Sequence, residues 1–275
     1  VSGLAAALAG LLAAHRPVVL VTVATTLGSA PRAPGTRMLV HADGIAGTVG
    51  GGELEWRAIA RARAMLAAGE PAAALELVLG PGLGQCCGGR VGLELVRADA
   101  ALLARLEAEE AAERAARPRV LLFGAGHVGR ALARSLAPLP VHVSWIDPRP
   151  DAFPPDPPVE VERVCAGAPV RILEQVPEVA GVLVLTHSHA LDFALVAAAL
   201  ARDDPAHVGL IGSTSKRARF VHGLRELGLG EERIARLACP LGGTTADKRP
   251  EVIALLATAE LWRALETGPA ERGPA

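Results

Sequence analysis

Val120-Leu121-Leu122-Phe123-Gly124-Ala125-Gly126-His127-Val128-Gly129 is the stretch that decides how the second half of this chain folds. Apolar residues run straight into a G-x-G-x-x-G pattern, so a strand precedes the glycines and a helix follows them. Gly124 permits a tight turn, Gly126 lets a phosphate approach the backbone, and Gly129 lets helix and strand pack closely. The helix start then offers unpaired N–H groups and a partial positive charge to an anion. Asp147 ends the next apolar run about twenty residues on, as a dinucleotide fingerprint requires. It has two readings: a hydrogen-bonding partner for two ribose hydroxyls, or a cap on the turn into Pro148. Arg149 beside it leaves open the choice between phosphorylated and plain ribose.

Outward from the glycines, RVLLFG, VHVSWID, VERVCA, GVLVLTH and HVGLIG read as strands. Helices are predicted near 127–137, 170–176, 189–202, 214–228 and 250–265. Short, continuous apolar strands alternating with helices point to a doubly wound, Rossmann-like parallel sheet over residues 119–265, with a flexible tail at 266–275. One connection departs from the pattern. Between the second and third strands stand Pro148, Pro150, Pro154, Pro155, Pro157 and Pro158, too many for a crossover helix.

Ligands of such sheets bind beyond the carboxyl ends of the strands. His127 lies there, as do Thr186-His187-Ser188-His189, with Asp192 one turn on, and Gly212-Ser213-Thr214-Ser215-Lys216. His187, His189 and Asp192 have metal-ligating chemistry, and Lys216 would neutralise a phosphate. The other reading has Ser188 and His189 capping a helix and Lys216 solvated.

Residues 1–98 read as an α+β unit. It comprises a helix over 2–16, strands at 17–23, 37–40, 75–79 and 91–96, a turn at Asp43-Gly44, and a helix from Glu53 to near Gly69. Gly50-Gly51-Gly52 ahead of that helix is a second place where backbone amides could wrap an anion. Arg32 sits in a loop stiffened by Pro31 and Pro34. A plain turn and a solvated arginine are the other reading of both. Residues 99–118 are helical and dense in Ala, Glu and Arg. Their thin apolar stripe of Leu102, Leu103 and Leu106 suits a linker.

Gln85-Cys86-Cys87-Gly88-Gly89 puts two thiols in a glycine-rich loop. Adjacent cysteines without further Cys or His spacing do not suit tetrahedral zinc. Thiolates do suit soft or high-valent metals and sulfur transfer. Cys165 and Cys239 are expected to be buried as small apolar residues.

Composition narrows the class. The chain has 275 residues, 51% of them hydrophobic, with three Trp, four Phe and no Tyr. Its net charge of −1 comes without a basic run, which argues against nucleic-acid binding. The apolar run at 3–14 is too short to span a bilayer, so no membrane partner is expected. Four cysteines in a chain this size do not make a disulfide framework, and a cytoplasmic protein with reduced thiols is expected.

GSAPRAPGTRMLV at 28–40, GTVGGGELEW at 47–56, LGPGLGQCCGGRV at 79–91, LLFGAGHVGRALA at 121–133, WIDPR at 145–149, THSHALD at 186–192 and IGSTSKRARF at 211–220 resemble the XdhC/CoxI family. CP-LGG at 239–243 and KRPEVIALLATAE at 248–260 complete the likeness. One small departure is Leu241, where the family pattern has Ile. The resemblance implies an accessory protein for xanthine dehydrogenase and related molybdenum hydroxylases, without turnover of its own. Such a protein would bind molybdenum cofactor (molybdopterin) and protect it while a cysteine desulfurase supplies the terminal sulfido ligand. It would then deliver the cofactor to the apo-hydroxylase, and it would be a homodimer. Cys86 or Cys87, with Gln85, falls where the family is thought to engage the metal. The phosphate tail would lie at Gly124 to Gly129, with the two domains closing over the cofactor. Two further readings stand beside this one. The first is an NAD-dependent oxidoreductase using His187 or His189 as acid–base, although no Tyr exists to pair with a Lys. The second is a redox or metal sensor acting through the adjacent cysteines.

Overall fold

The computed structural model describes residues 3–78 and 89–267. The chain divides into two units, Val1–Ala115 and Ala116–Ala275.

The first unit is built on β1 (Val18–Leu27), β2 (Arg37–His41), β3 (Gly44–Gly47), β4 (Ala72–Val78) and β5 (Arg90–Arg97). They form one antiparallel sheet in the order β3-β2-β1-β5-β4. The central strand β1 is apolar on both faces because both are covered. Val19, Val21 and Val23 meet Leu54, Ala58, Ala62 and Met65 of α2 (Gly52–Ala68). Val18 and Leu20 face the other way, onto Leu8 of α1 (Leu4–Ala13) and Leu102 and Leu106 of α3 (Ala100–Ala115). The thin stripe read as that of a linker is therefore packed into this core. Strand β3, a glycine-bounded edge of four residues, has too little pattern to be read from sequence.

The second unit is a six-stranded sheet of β6 (Arg119–Phe123), β7 (His142–Asp147), β8 (Val161–Cys165), β9 (Val179–Val184), β10 (His207–Leu210) and β11 (Leu237–Ala238). All its pairings are parallel, in the order β11-β10-β9-β6-β7-β8. Counted from β6, this is the 3-2-1-4-5-6 order of the Rossmann fold. The strand order reverses between β6 and β9, so the crevice opens beyond their carboxyl ends. Val120 and Leu122 pack under α4 (His127–Leu136) and α9 (Pro250–Thr267). Leu121 and Phe123 pack under α5 (Pro169–Gln175), α6 (His189–Ala201), α7 (Thr214–Glu226) and α8 (Glu231–Ala235). The proline-rich stretch after β7 holds only a 3-10 turn at Pro150–Ala152. Cys239 is buried as expected, but Cys165 is exposed, because β8 is an edge strand. Among the described residues, no helix is long and apolar enough to cross a membrane.

Candidate functional site

The glycine turn sits where β6 hands over to α4. Gly124 has φ of +113°, and a side chain there would run into the Leu185 carbonyl beyond the end of β9. A side chain on Gly129 would strike the Gly124 carbonyl oxygen, so this turn tolerates only hydrogen at both positions. The turn is also bolted to β7: Gly124 N–H donates to the Ile146 carbonyl (2.8 Å), and the Trp145 indole donates to the Gly124 carbonyl (2.9 Å). Three long helices start at this edge of the sheet. Ser188 accepts from Leu191 N–H at the start of α6, and Ser213 from Lys216 N–H at the start of α7. No side chain caps α4, so its first-turn amides remain open to an anion. Gly126 and His127 are exposed there.

Asp147, only 1% exposed, ends β7 directly behind the turn. Its Oδ2 accepts from Ala125 N–H (2.8 Å) and from Arg149 Nη2 (3.0 Å). Its Oδ1 accepts from Arg149 main-chain N–H and Nε, both at 3.0 Å. Burial alone would push this carboxyl up, but the Arg149 and Ala125 hydrogen bonds outweigh it and hold the group below the usual carboxylate range.

A second ion pair, this one buried on both sides, lies at the ends of β9 and β10. Lys216 Nζ donates to Asp192 Oδ2 (2.7 Å) and to the Ile211 carbonyl (3.0 Å), and lies 5.4 Å from the centre of the Phe220 ring. Asp192 Oδ1 accepts from Thr186 N–H (3.0 Å) and Thr186 Oγ1 (2.7 Å). Lys216 is therefore not the solvated cation of the alternative reading, for it is 8% exposed and bonded. Burial pushes the nearby Cys239 thiol up, against the pull of the Lys216 and Arg217 charges. His187 and His189 are exposed, and among the described residues no three His, Cys, Asp or Glu are grouped to hold a metal.

Beside the turn, a cleft of about 500 Å³ runs between α4 and the start of α9. His127, Arg130 and Arg134 line it, opposite a single acid, Glu251, with Pro154 and Leu255 as apolar walls. Arg130 donates to the Ala125 and Ala152 carbonyls, and among the described residues no carboxylate is bonded to it.

In the first unit, loops quoted for the resemblance come together. A side chain on Gly50 would meet Pro31, and one on Gly89 would run into the Leu27 and Ser29 carbonyls. The loop carrying Gln85, Cys86 and Cys87 lies outside the described residues. Arg32 itself is exposed. Gly50, Gly51 and Gly52 all have positive φ. Their neighbouring amides do not face outward to a free anion, because Glu55 folds back onto them. Glu55 Oε2 accepts from the Thr48 hydroxyl, Val49 N–H (3.1 Å) and Gly51 N–H (3.3 Å).

Residues 120–261 match the XdhC Rossmann domain, and residues 11–78 match the XdhC and CoxI family. The chain belongs to the XdhC/CoxI family. This XdhC-type chain is 31% identical over 265 residues to Uncharacterized protein YqeB of Escherichia coli strain K12, covering 92% of this chain and 44% of that protein. It thus spans less than half the length of that relative. Its fold matches a Bacillus halodurans protein whose crystal structure is described as a xanthine dehydrogenase, with a TM-score of 0.77, 18% identity and 98% of each chain covered. Three residues that shape these candidate sites escaped sequence reading: Glu55 in the first unit, and Arg130 and Arg134 in the second. The helical spacing of His127, Arg130 and Arg134 would have placed them on one face of α4. A glutamate in the first turn after three glycines was the available signal for Glu55.

Proposed function

We infer that this chain is an accessory protein for a xanthine dehydrogenase-type molybdenum hydroxylase, and that it binds molybdenum cofactor as cargo rather than turning over a substrate. Family membership supports the accessory role. The observation that carries the cofactor-binding reading is the uncapped start of α4 behind a glycine turn that excludes larger residues at Gly124 and Gly129, beside an arginine-lined cleft. Such a surface suits the phosphate end of a pterin cofactor. For the metal end we name the thiols of Cys86 and Cys87. Thiolates there would meet molybdenum while a cysteine desulfurase delivers sulfur and before the apo-hydroxylase receives the cofactor, with the chain acting as a homodimer.

The oxidoreductase reading is disfavoured by Asp147, whose carboxylate is already bonded on both oxygens and has no place for the ribose hydroxyls of NAD. Mass spectrometry of the natively purified protein tests the reading. A retained pterin is expected, and it is lost when Cys86 and Cys87 are both changed to Ala. A pterin-free protein after expression in cofactor-producing cells, or retention unchanged by the double substitution, overturns the proposal or its thiol half respectively.

A further inference from the structure

In a dinucleotide-binding Rossmann domain, the acid ending the second strand takes the adenosine ribose hydroxyls, which requires an open carboxylate. Asp147 stands at that position and is closed. A carboxylate offers about four acceptor sites. Here they are taken by Ala125 N–H, Arg149 N–H, Arg149 Nε and Arg149 Nη2. The arginine is different: its side chain is 47% exposed, and both hydrogens of Nη1 and one of Nη2 are left unused by the pair. What a ligand meets at the end of β7 is therefore a cation held rigid by a buried acid. Further positive charge lies nearby in the open amides of α4 and in the cleft lined by Arg130 and Arg134.

We propose that Arg149 is the specificity-determining residue of this crevice, recognising a phosphate monoester on the ligand, while the locked Asp147 excludes an unphosphorylated ribose diol. The proposal rests on the reading that the crevice holds a phosphate-bearing cofactor, and it names the group that is read. A guanidinium fixed in its plane by a bidentate partner is suited to a phosphate, whose oxygens accept from two N–H groups at once. Two sources carry that chemistry: the 2′-phosphate of a nucleotide and the side-chain phosphate of a pterin.

Calorimetric titration of the full chain with two matched pairs distinguishes them. One pair is adenosine 2′,5′-bisphosphate and adenosine 5′-monophosphate. The other is a 6-alkylpterin phosphate and its phosphatase-treated alcohol. In at least one pair the member bearing the extra phosphate binds tenfold or more tightly. Arg149→Gln abolishes that preference and Arg149→Lys keeps part of it. Should the Gln variant fail to fold, Arg149→Met combined with Asp147→Leu removes cation and acid together and must also lose the preference. No preference in either pair, or a preference that survives loss of the guanidinium, overturns the proposal. The two readings fail separately. Pterin bound equally with and without its phosphate, alongside indifferent nucleotides, sinks the role of Arg149 and leaves the chaperone standing. Nucleotide preference with no pterin bound in any form does the reverse.

Discussion

Replacing Lys216 by Met removes one partner from a buried pair and leaves the other in place. Asp192 is wholly buried (0% exposed), and Lys216 is the donor to its Oδ2, whereas both Thr186 bonds go to Oδ1. Stranding a buried charge in this way costs about 3–5 kcal/mol. Lys216 reaches the surface at one edge, so water entering there softens the loss, and the lower bound of about 3 kcal/mol applies. For a unit of this size that lowers the midpoint of thermal unfolding by about 6–12 °C. Adding Asp192→Asn restores most of it. The amide oxygen still accepts from Thr186 and no charge is left in the core, so the double variant should sit within about 1–2 kcal/mol of the parent. Melting followed by the fluorescence of Trp145, which is fully buried in this unit, reads both variants. If the single variant melts with the parent, or the double variant melts as low as the single, the stranded-charge account is wrong.

Gly129→Ala drives a methyl into the Gly124 carbonyl, which Trp145 holds in place, and should cost about 3 kcal/mol in urea unfolding of the second unit. Leu106→Ala should destabilise the first unit by about 3 kcal/mol, whereas the same change on a free connector helix would cost almost nothing; hydrogen exchange in β1 and β2 separates the two. Asp147 titrates below its ordinary value of 3.8 in the folded chain, so its contribution is complete above that value and fades as pH falls through the lower, folded one. Urea midpoints measured across the acid range should therefore drop less steeply in Arg149→Gln than in the parent.

The Rossmann unit was readable because its strands are continuous apolar runs and the three glycines lie at a strand-to-helix junction, both local signals. Helix α3 was harder. Only Leu102 and Leu106 are buried, with Leu103 partly so, on a surface otherwise of Ala, Glu and Arg, so its docking depends on α1, nearly a hundred residues earlier. Strand β11 has two residues and carries no periodicity at all. The site was legible as a set of residue types but not as a set of bonds. Lys216 and Asp192 are 24 positions apart, and they meet only because β9 and β10 are neighbours in the sheet. The pairing of Asp147 with Arg149 was within local reach, yet whether that acid faces a ligand or its own neighbour depends on a two-residue turn that no pattern describes.

Glu55 gives the first unit a tethered anion of its own. An arriving phosphate would have to compete with a carboxylate already threaded through the amides of Val49 and Gly51, at the high local concentration that covalent linkage confers. The glycine bend thus keeps its shape before any guest is present, and Pro31 rests on it at Gly50. The posture of the arginine-bearing loop is consequently inherited from an acid more than twenty residues downstream.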